Sequence, residues 1–263
     1  MKNKLFTLTF AAVLGLLVLF LVILIYSLFA QLHSPGALKG IPRSEVLFAL
    51  RLTLVTATAA SLLALAVALP TAYVLARYRF PLRDAVDTLL YLPVVLSPIA
   101  LGALLLIFFN TLPGRLIDRA LGGVVFEVGG IIAAQFIVII GLAISLVKST
   151  FEGVNPVYEG IARTLGATRL QTFTRVLLPM SRNGIVAAFL LTWARAVGEF
   201  GATVTLAGAT PMKTETLPVA IFLSFASADI SRACVFILIS MGISLAVLFI
   251  LRKLYARSAQ PLL

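Results

Sequence analysis

The chain has 263 residues, of which 61% are hydrophobic and 12% charged, and its formal net charge is +11. A water-soluble domain of this length could not bury so much apolar surface, so the composition excludes a soluble protein and indicates an integral membrane protein. One cysteine and one histidine exclude an internal disulfide and argue against a metal site built from these two residue types.

Six long segments are free, or nearly free, of charged residues, and each approaches or exceeds the ~20 residues that a helix needs to cross the bilayer core. Between Leu16 and Leu32 only Ser27 and Gln31 are polar, which does not suit the period-2 alternation of a membrane β-barrel and favours helices. The first segment is longer than the ~7–15-residue core of a signal peptide, so we expect a retained helix. We therefore predict one all-α transmembrane domain over residues 1–263, with spans at about 6–32, 50–76, 88–112, 128–148, 184–207 and 232–252.

The basic residues predict the orientation of these spans. With six spans, both termini and the even-numbered loops share one side, which carries thirteen Lys and Arg residues against seven on the other side. The positive-inside bias places that side, and both termini, in the cytoplasm. The net positive charge is then a topology signal, and we expect no nucleic-acid partner.

Three prolines, Pro70, Pro93 and Pro98, fall inside predicted spans. A proline frees a backbone carbonyl and kinks its helix. These residues could shape a central cavity, although prolines are also common in membrane helices without any such role.

A polar segment at about residues 155–179 forms the cytoplasmic loop between the fourth and fifth predicted spans. Apolar residues recur in it at helical spacing, which predicts two short helices. Gly166 is expected to end the first of them. Thr168 and Gln171 form a T-x-x-Q capping box that opens the second, which Pro179 is expected to end.

Both predicted helices of this loop are amphipathic, with charged residues opposite the apolar ones. They could form a rigid knob to which a cytoplasmic partner binds, or they could lie on the membrane surface. The glycine favours the knob, because a continuous helix lying on the membrane gains nothing from a break in its middle.

The loop resembles the cytoplasmic EAA loop of ABC importer permeases, whose pattern is E-A-A, three residues, G, nine residues, then I-x-L-P. Gly166 matches the glycine, Val176 stands at the isoleucine, and Leu178-Pro179 completes the ending. Ile161-Ala162 falls on the two alanines. The glutamate of the pattern falls on Gly160.

This chain carries a glutamate one position before the place of the pattern's glutamate. The resemblance implies that two cytoplasmic ATP-binding subunits dock on the loop. The residues it implicates are Glu159, Ile161, Ala162, Arg163, Gly166, Val176, Leu178 and Pro179.

A second resemblance covers the fifth predicted span. Residues 194–208 read ARAVGEFGATVTLAG and residues 214–218 read TETLP, a run similar to one in oxyanion permeases, which import molybdate, tungstate or sulfate. Residues 91–102, YLPVVLSPIALG, are similar to the third core helix of the same group. The resemblance implies the type I ABC importer permease fold in the cell membrane, as a homodimer served by an external substrate-binding protein. It favours molybdate or tungstate over sulfate.

Two charged residues, Arg195 and Glu199, interrupt the fifth predicted span. Each costs about 2.5–3.5 kcal/mol near the bilayer centre on insertion scales, so neither is expected to face lipid. Their i,i+4 spacing allows an ion pair. That pair is either a structural one between packed helices or one beside the transport pathway, near its external gate.

The same span offers glycines and hydroxyl groups. Gly198 and Gly201 would let neighbouring backbones approach closely or would allow local unwinding. Thr203 and Thr205 carry hydroxyl donors that suit an oxyanion, although packed membrane helices also contain such threonines. The candidate pathway residues are therefore Arg195, Gly198, Glu199, Gly201, Thr203 and Thr205.

Catalytic motifs are not found. There is no Gly-Lys pair, so the chain has no phosphate-binding P-loop, and we predict neither ATP hydrolysis by this chain nor a cofactor. Ser244 lies in a sequence close to a nucleophile elbow, yet the only histidine is His33 in the first external loop, which argues against a serine hydrolase. A secondary transporter or channel that works without an ATPase remains the alternative.

Overall fold

The computed structural model describes residues 2–32 and 42–258, and every regular element within these ranges is helical, which confirms the predicted all-α fold. In chain order the helices are α1 (Lys2–Leu32), α2 (Arg43–Arg77), α3 (Arg83–Val95), α4 (Pro98–Asn110), α5 (Leu112–Ala120), α6 (Val128–Glu152), α7 (Val157–Thr164), α8 (Arg169–Thr172), α9 (Leu178–Val197), α10 (Gly201–Ala207), α11 (Leu217–Ala226) and α12 (Ile230–Ser258).

Five helical segments in the described part of the chain are long and apolar enough to cross a bilayer. They correspond to the first, second, fourth, fifth and sixth predicted spans. The third predicted span, 88–112, is instead the pair α3 and α4, which are bent by 109° relative to each other. Whether this pair crosses the membrane as one span stays a prediction, as do the cytoplasmic positions of the termini.

The most extensive helix pair of the bundle is α2 with α6. The face that α2 contributes to the core is a run of small side chains at helical spacing, and small residues let membrane helices approach closely. These fully buried residues are Ala57, Ala60, Ala64, Ala68 and Ala72. α9 packs against both α2 and α6, so the bundle core connects directly to the helix that follows the polar loop.

The predicted span 88–112, in which we expect a proline kink, is divided into two helices at Ser97 and Pro98. The residue before a proline is disfavoured in the α region, and Ser97 has extended backbone angles (φ −63°, ψ 141°). The Ser97 side chain then accepts a hydrogen bond from the Ala100 N–H and caps α4. A proline and a serine therefore end one helix and start another, which a count of apolar residues cannot show.

The prediction that Pro179 ends the second helix of the loop is also wrong. The chain is helical without interruption from Arg169 to Val197, with Pro179 in the first turn of α9. A π-helical segment, Phe173–Leu177, precedes it, and the Leu178 N–H donates to the Phe173 carbonyl five residues back. This wider turn fits a proline into the helix, because a proline donates no hydrogen bond and clashes with the carbonyl four residues before it.

α1 lies at the periphery, where its described contacts are with α12. Its described side chains are exposed along nearly the whole helix, as expected of a helix surrounded by lipid or by another membrane subunit. His33, considered above in the first external loop, lies outside the described residues.

Candidate functional site

The first helix of the polar loop, α7, ends in a glycine turn. Gly166 has a φ of +89°, a left-handed conformation that residues with a side chain rarely adopt. Its N–H donates to the Arg163 carbonyl, and the Ala167 N–H donates to the Ala162 carbonyl at 3.0 Å. These two bonds form a Schellman motif, which satisfies carbonyls that the end of the helix leaves free. The prediction that Gly166 ends this helix is confirmed.

The second helix opens as predicted. The Thr168 side chain accepts a hydrogen bond from the Gln171 N–H, and the Gln171 side chain accepts one from the Thr168 N–H. Only one residue, Ala167, separates the glycine turn from this capping box. The turn and the box therefore fix the direction in which the chain leaves α7 and enters α8, and we call residues 155–172 the knob.

A buried ion pair fastens the knob to the bundle. Arg77, the last residue of α2, donates through Nε to Oε1 of Glu159 at 2.6 Å and through Nη2 to the Val154 carbonyl at 2.8 Å. Both charged side chains are only 10% exposed. The Tyr73 hydroxyl lies 3.5 Å from the other oxygen of Glu159. Glu159 therefore points into the protein and is not part of the outer surface of the knob.

The outer surface of α7 is apolar. Residues 157, 161 and 165 follow one another at i,i+4 spacing and share a face of the helix, opposite the face that carries Glu159. Ile161 is 52% exposed and Leu165 is 83% exposed. The exposed large hydrophobic side chains on the knob are Val157, Tyr158, Ile161, Leu165 and Leu170. α7 is thus amphipathic in the reverse sense, with its carboxylate inside and its apolar face outside.

The remaining predicted loop residues lie within α7 or in the segment that connects the knob to α9. Phe173 stacks edge-on against Tyr73 and Phe151, with ring centroids 5.0 and 6.1 Å apart. Val176 and Leu178 are half-buried, and Pro179 is exposed. Ala162 is half-buried and Arg163 is exposed. The structure therefore divides the predicted residues between an outer face and an attachment to the bundle.

The fifth predicted span, 184–207, is broken at residues 198–200, between α9 and α10. Glu199 supports both sides of this break. Its Oε1 accepts the Ala202 N–H at 3.0 Å, in the first turn of α10, and its Oε2 accepts a hydrogen bond from Nη1 of Arg195 at 2.7 Å, in the last turn of α9. The Glu199 side chain is buried, whereas that of Arg195 is 40% exposed. The carboxylate thus has a structural role, whereas the side chain of its arginine partner remains partly exposed.

Gln135 also stabilises the backbone at this break, and it is not among the residues predicted from the sequence. Its side chain lies in α6, is buried, and donates through Nε2 to the Ala196 carbonyl at 3.1 Å. That carbonyl belongs to the last turn of α9, where carbonyls lose their helical partners. The signal that could have found Gln135 is a lone amide within a span that is otherwise free of charge, because polar groups in lipid are costly and need a partner.

Glycines bring the two broken spans together. A Cβ atom on Gly201 would lie 3.1 Å from Pro98 and Ile99, at the start of α4. A Cβ on Gly102 would lie 2.8 Å from backbone atoms of Ala202, in α10. The close approach expected of Gly201 is therefore observed, and both helix breaks meet at one place in the bundle.

The other candidate pathway residues have different surroundings. Thr203 is fully buried, and its hydroxyl has no hydrogen-bond partner among the described residues. The half-buried Thr205 hydroxyl donates to the Gly201 carbonyl of its own helix at 2.7 Å. Gly198 is exposed at the end of α9. In this conformation Gly198 is exposed, Arg195 and Thr205 are half-buried, and Thr203 is fully buried.

The profile of the family described as "Binding-protein-dependent transport system inner membrane component" matches residues 64–260, roughly three quarters of the chain. The chain belongs to this family. It is a transport component of the cell membrane, as the apolar helices and the resemblance of the loop predicted.

Individual relatives agree with this membership. The chain is 36% identical over 243 residues to the "Probable molybdenum ABC transporter permease protein" of Haloferax volcanii, and the match covers 91% of this chain and 87% of that protein. It is 32% identical over 254 residues to the "Molybdate/tungstate transport system permease protein WtpB" of Pyrococcus abyssi, with 95% of each covered. It is 33% identical over 230 residues to the "Sulfate transport system permease protein CysT" of Escherichia coli, with 87% and 83% covered.

The fold of this permease is also that of a solved transporter. A chain in the "Crystal structure of bacterial alginate ABC transporter in complex with alginate pentasaccharide-bound periplasmic protein" superimposes with a TM-score of 0.71. The match covers 92% of both chains at 19% identity, so it concerns the fold alone. It confirms the predicted permease fold.

Proposed function

We propose that the permease is the membrane-spanning subunit of an ATP-driven importer, and that two cytoplasmic ATP-binding subunits dock on the knobs of a homodimer. The observation that carries this proposal is the reversed amphipathicity of α7. Ordinarily an amphipathic helix buries its apolar face and exposes its charges. Here the apolar face, centred on Ile161, is exposed while Glu159 is buried, which favours a surface that another protein covers.

The attachment of the knob gives it the rigidity that such a role requires. Glu159 ties α7 to the end of α2, and the helix from Arg169 to Val197 leads without a break from the knob to residue 198. A displacement of the knob would therefore move α9 as a rigid element. Its far end is the break that Glu199 and Gln135 support, and local breaks in helices are places where a packed bundle can switch between two arrangements.

We propose that this switch is the alternating-access step, with Arg195 beside the pathway. Its guanidinium neutralises Glu199, and its side chain is still 40% exposed, which suits a residue beside the path of an anion. In this proposal Gly198 and Gly201 permit the movement, and Thr203 and Thr205 become accessible in another conformation. In the proposed homodimer, each copy would contribute one transmembrane domain, residues 1–263, and that domain would form one half of the pathway.

The substrate that we propose is a tetrahedral oxyanion, molybdate or tungstate in preference to sulfate. The support comes from the names of relatives that cover most of the chain. The molybdenum permease of Haloferax volcanii has a higher identity to this chain, and a higher coverage, than the sulfate permease of Escherichia coli. The description of the family as binding-protein-dependent supports delivery by an external substrate-binding protein. The permease itself would catalyse no covalent reaction, since the partner subunit would hydrolyse the ATP.

Site-specific cross-linking tests the docking. In a background in which the native cysteine is removed by Cys234→Ala, a photo-activatable maleimide is attached to Leu165→Cys, in the complex with the cognate ATP-binding subunit. We expect a strong adduct with that subunit, because Leu165 lies on the apolar face and is 83% exposed.

The matched control is Leu82→Cys, in the turn between α2 and α3. Leu82 is 78% exposed and is predicted to lie on the same side of the membrane, but it is not part of the knob. A weak adduct at this position supports the proposal. An adduct that is equally strong at both positions, or stronger at Leu82→Cys, contradicts docking on α7.

A further inference from the structure

A second surface of the knob is a cavity of about 240 Å³ between the cytoplasmic end of α2 and the inner faces of α7 and α8. It lies on the side of α7 opposite the apolar face, because Glu159 and Arg163 are on this side of the helix. A ligand here would therefore not compete for the docking surface. The polar side chains that line it include Tyr73, Arg77, Tyr78, Glu159, Arg163 and Arg169.

The cavity carries an excess of positive charge. Of its three arginines, only Arg77 is paired with the single carboxylate, Glu159. Arg163 and Arg169 form no ion pair within the described part of the chain. Arg169 instead lies against Tyr78, with its guanidinium carbon 6.0 Å from the ring centroid and Nη1 3.5 Å from the hydroxyl. Two guanidinium groups without an ionic partner and two phenol groups thus border one cavity.

Gly160 keeps this cavity open. It contributes to the lining, and apart from its chain neighbours and the backbone of its own helix, no atom lies within 4 Å of the place where its Cβ would be. A carboxylate side chain at this position, where the EAA pattern has its glutamate, would fit the space and would neutralise part of the charge. The glycine leaves two positive charges in excess over the one carboxylate.

We propose that the cavity binds a tetrahedral oxyanion, either a free ion such as inorganic phosphate or the phosphodiester of a lipid headgroup. Guanidinium groups match the oxygens of such anions in bidentate geometry, and charge-assisted hydrogen bonds are the stronger kind. The volume leaves room for the ion with several waters, each of which takes about 30 Å³. The bound anion ties α7 and α8 to the end of α2. This site goes beyond the proposed transport function and does not depend on it.

Calorimetric titration of the full-length permease in dodecyl maltoside, which contains no phosphate, tests the site with inorganic phosphate as the probe. We expect saturable binding of one ion per chain. Arg163→Gln and Arg169→Gln should each weaken it at least about tenfold, since each removes a charge-assisted hydrogen bond. Gly160→Glu should weaken it at least as much while it leaves every lining side chain in place.

The matched control is Arg175→Gln, which removes an exposed arginine of the same loop that does not line the cavity. Phosphate binding should be unchanged in this variant. No saturable binding to the folded wild-type protein, or equal loss in Arg175→Gln and Arg163→Gln, overturns the proposal. Because no ATP-binding subunit is present, that failure leaves the transport function untouched.

A competition arm identifies the source of the anion. Phosphatidylglycerol added to the detergent solution should displace phosphate from the wild-type protein if the natural occupant is a lipid headgroup, and should not displace it if the occupant is a free oxyanion. Both results support the anion site, and each assigns its ligand. Displacement that persists unchanged in Gly160→Glu would count against the cavity as the place of binding.

Discussion

Replacing Gly166 with valine should reduce ATP-driven transport at least about tenfold while the permease still inserts into the membrane. The φ of +89° at this position is strained for any residue with a side chain and most of all for a β-branched one, at a cost of about 1–3 kcal/mol. The strain is relieved when the Schellman turn opens, and about 1.4 kcal/mol corresponds to a factor of ten. α7 and its apolar face then lose their fixed direction. Transport and ATP hydrolysis by the reconstituted complex measure the effect.

The control for this variant is Gly153→Val, at the end of α6. Gly153 has a right-handed backbone with φ −68°, and the nearest atom to an added Cβ is the Thr150 carbonyl oxygen at 3.4 Å, an ordinary contact. Transport should be close to that of the wild type. If Gly166→Val transports as well as Gly153→Val, the geometry of the knob does not matter for coupling and the proposed mechanism is wrong.

Replacing Glu159 with alanine should release the knob from the bundle. Arg77 would keep its bond to the Val154 carbonyl but would remain as a buried charge without a counter-ion, and breaking a buried pair in this way costs about 3–5 kcal/mol. We expect rapid proteolysis within residues 153–172 and a loss of coupled transport comparable to that of Gly166→Val. Limited proteolysis of the purified permease, followed by mass spectrometry, locates the cleavage.

The double variant Arg77→Met with Glu159→Leu distinguishes this cause from a simple loss of contacts. It removes both charges and retains side chains of similar size, and such replacements are often neutral or stabilising. We expect the double variant to resist proteolysis better than Glu159→Ala alone. If it is cleaved faster, the stability of the knob comes from the specific geometry of the pair and not from the need to neutralise Arg77.

The local chemistry of the knob could be predicted from the sequence because it depends on neighbouring residues. The capping box of Thr168 and Gln171 and the glycine turn at Gly166 each involve residues within five positions of one another, and both are confirmed. Pro179 shows the limit of this reasoning. The rule that a proline ends a helix holds for an α-helix, but the π-helical segment before Pro179 changes the hydrogen bonding and lets the helix continue.

The direction in which α7 faces could not be predicted, because an amphipathic pattern is the same whichever face is buried. The decision depends on Arg77, 82 positions earlier in the chain, which draws Glu159 inward. Gln135 is similar, since its partner is the Ala196 carbonyl, 61 positions later. Long-range polar contacts of this kind determine how the knob and the helix break are held.

Uptake of molybdate into proteoliposomes is the measurement that tests the central claim most directly. The vesicles contain the permease with its ATP-binding subunits oriented toward enclosed ATP, and the substrate-binding protein is supplied outside. We predict uptake that requires both ATP and the ATP-binding subunits and that is at least about tenfold lower in Gly166→Val. Uptake by the permease alone, driven by an ion gradient without ATP, would show a secondary transporter and would contradict the account.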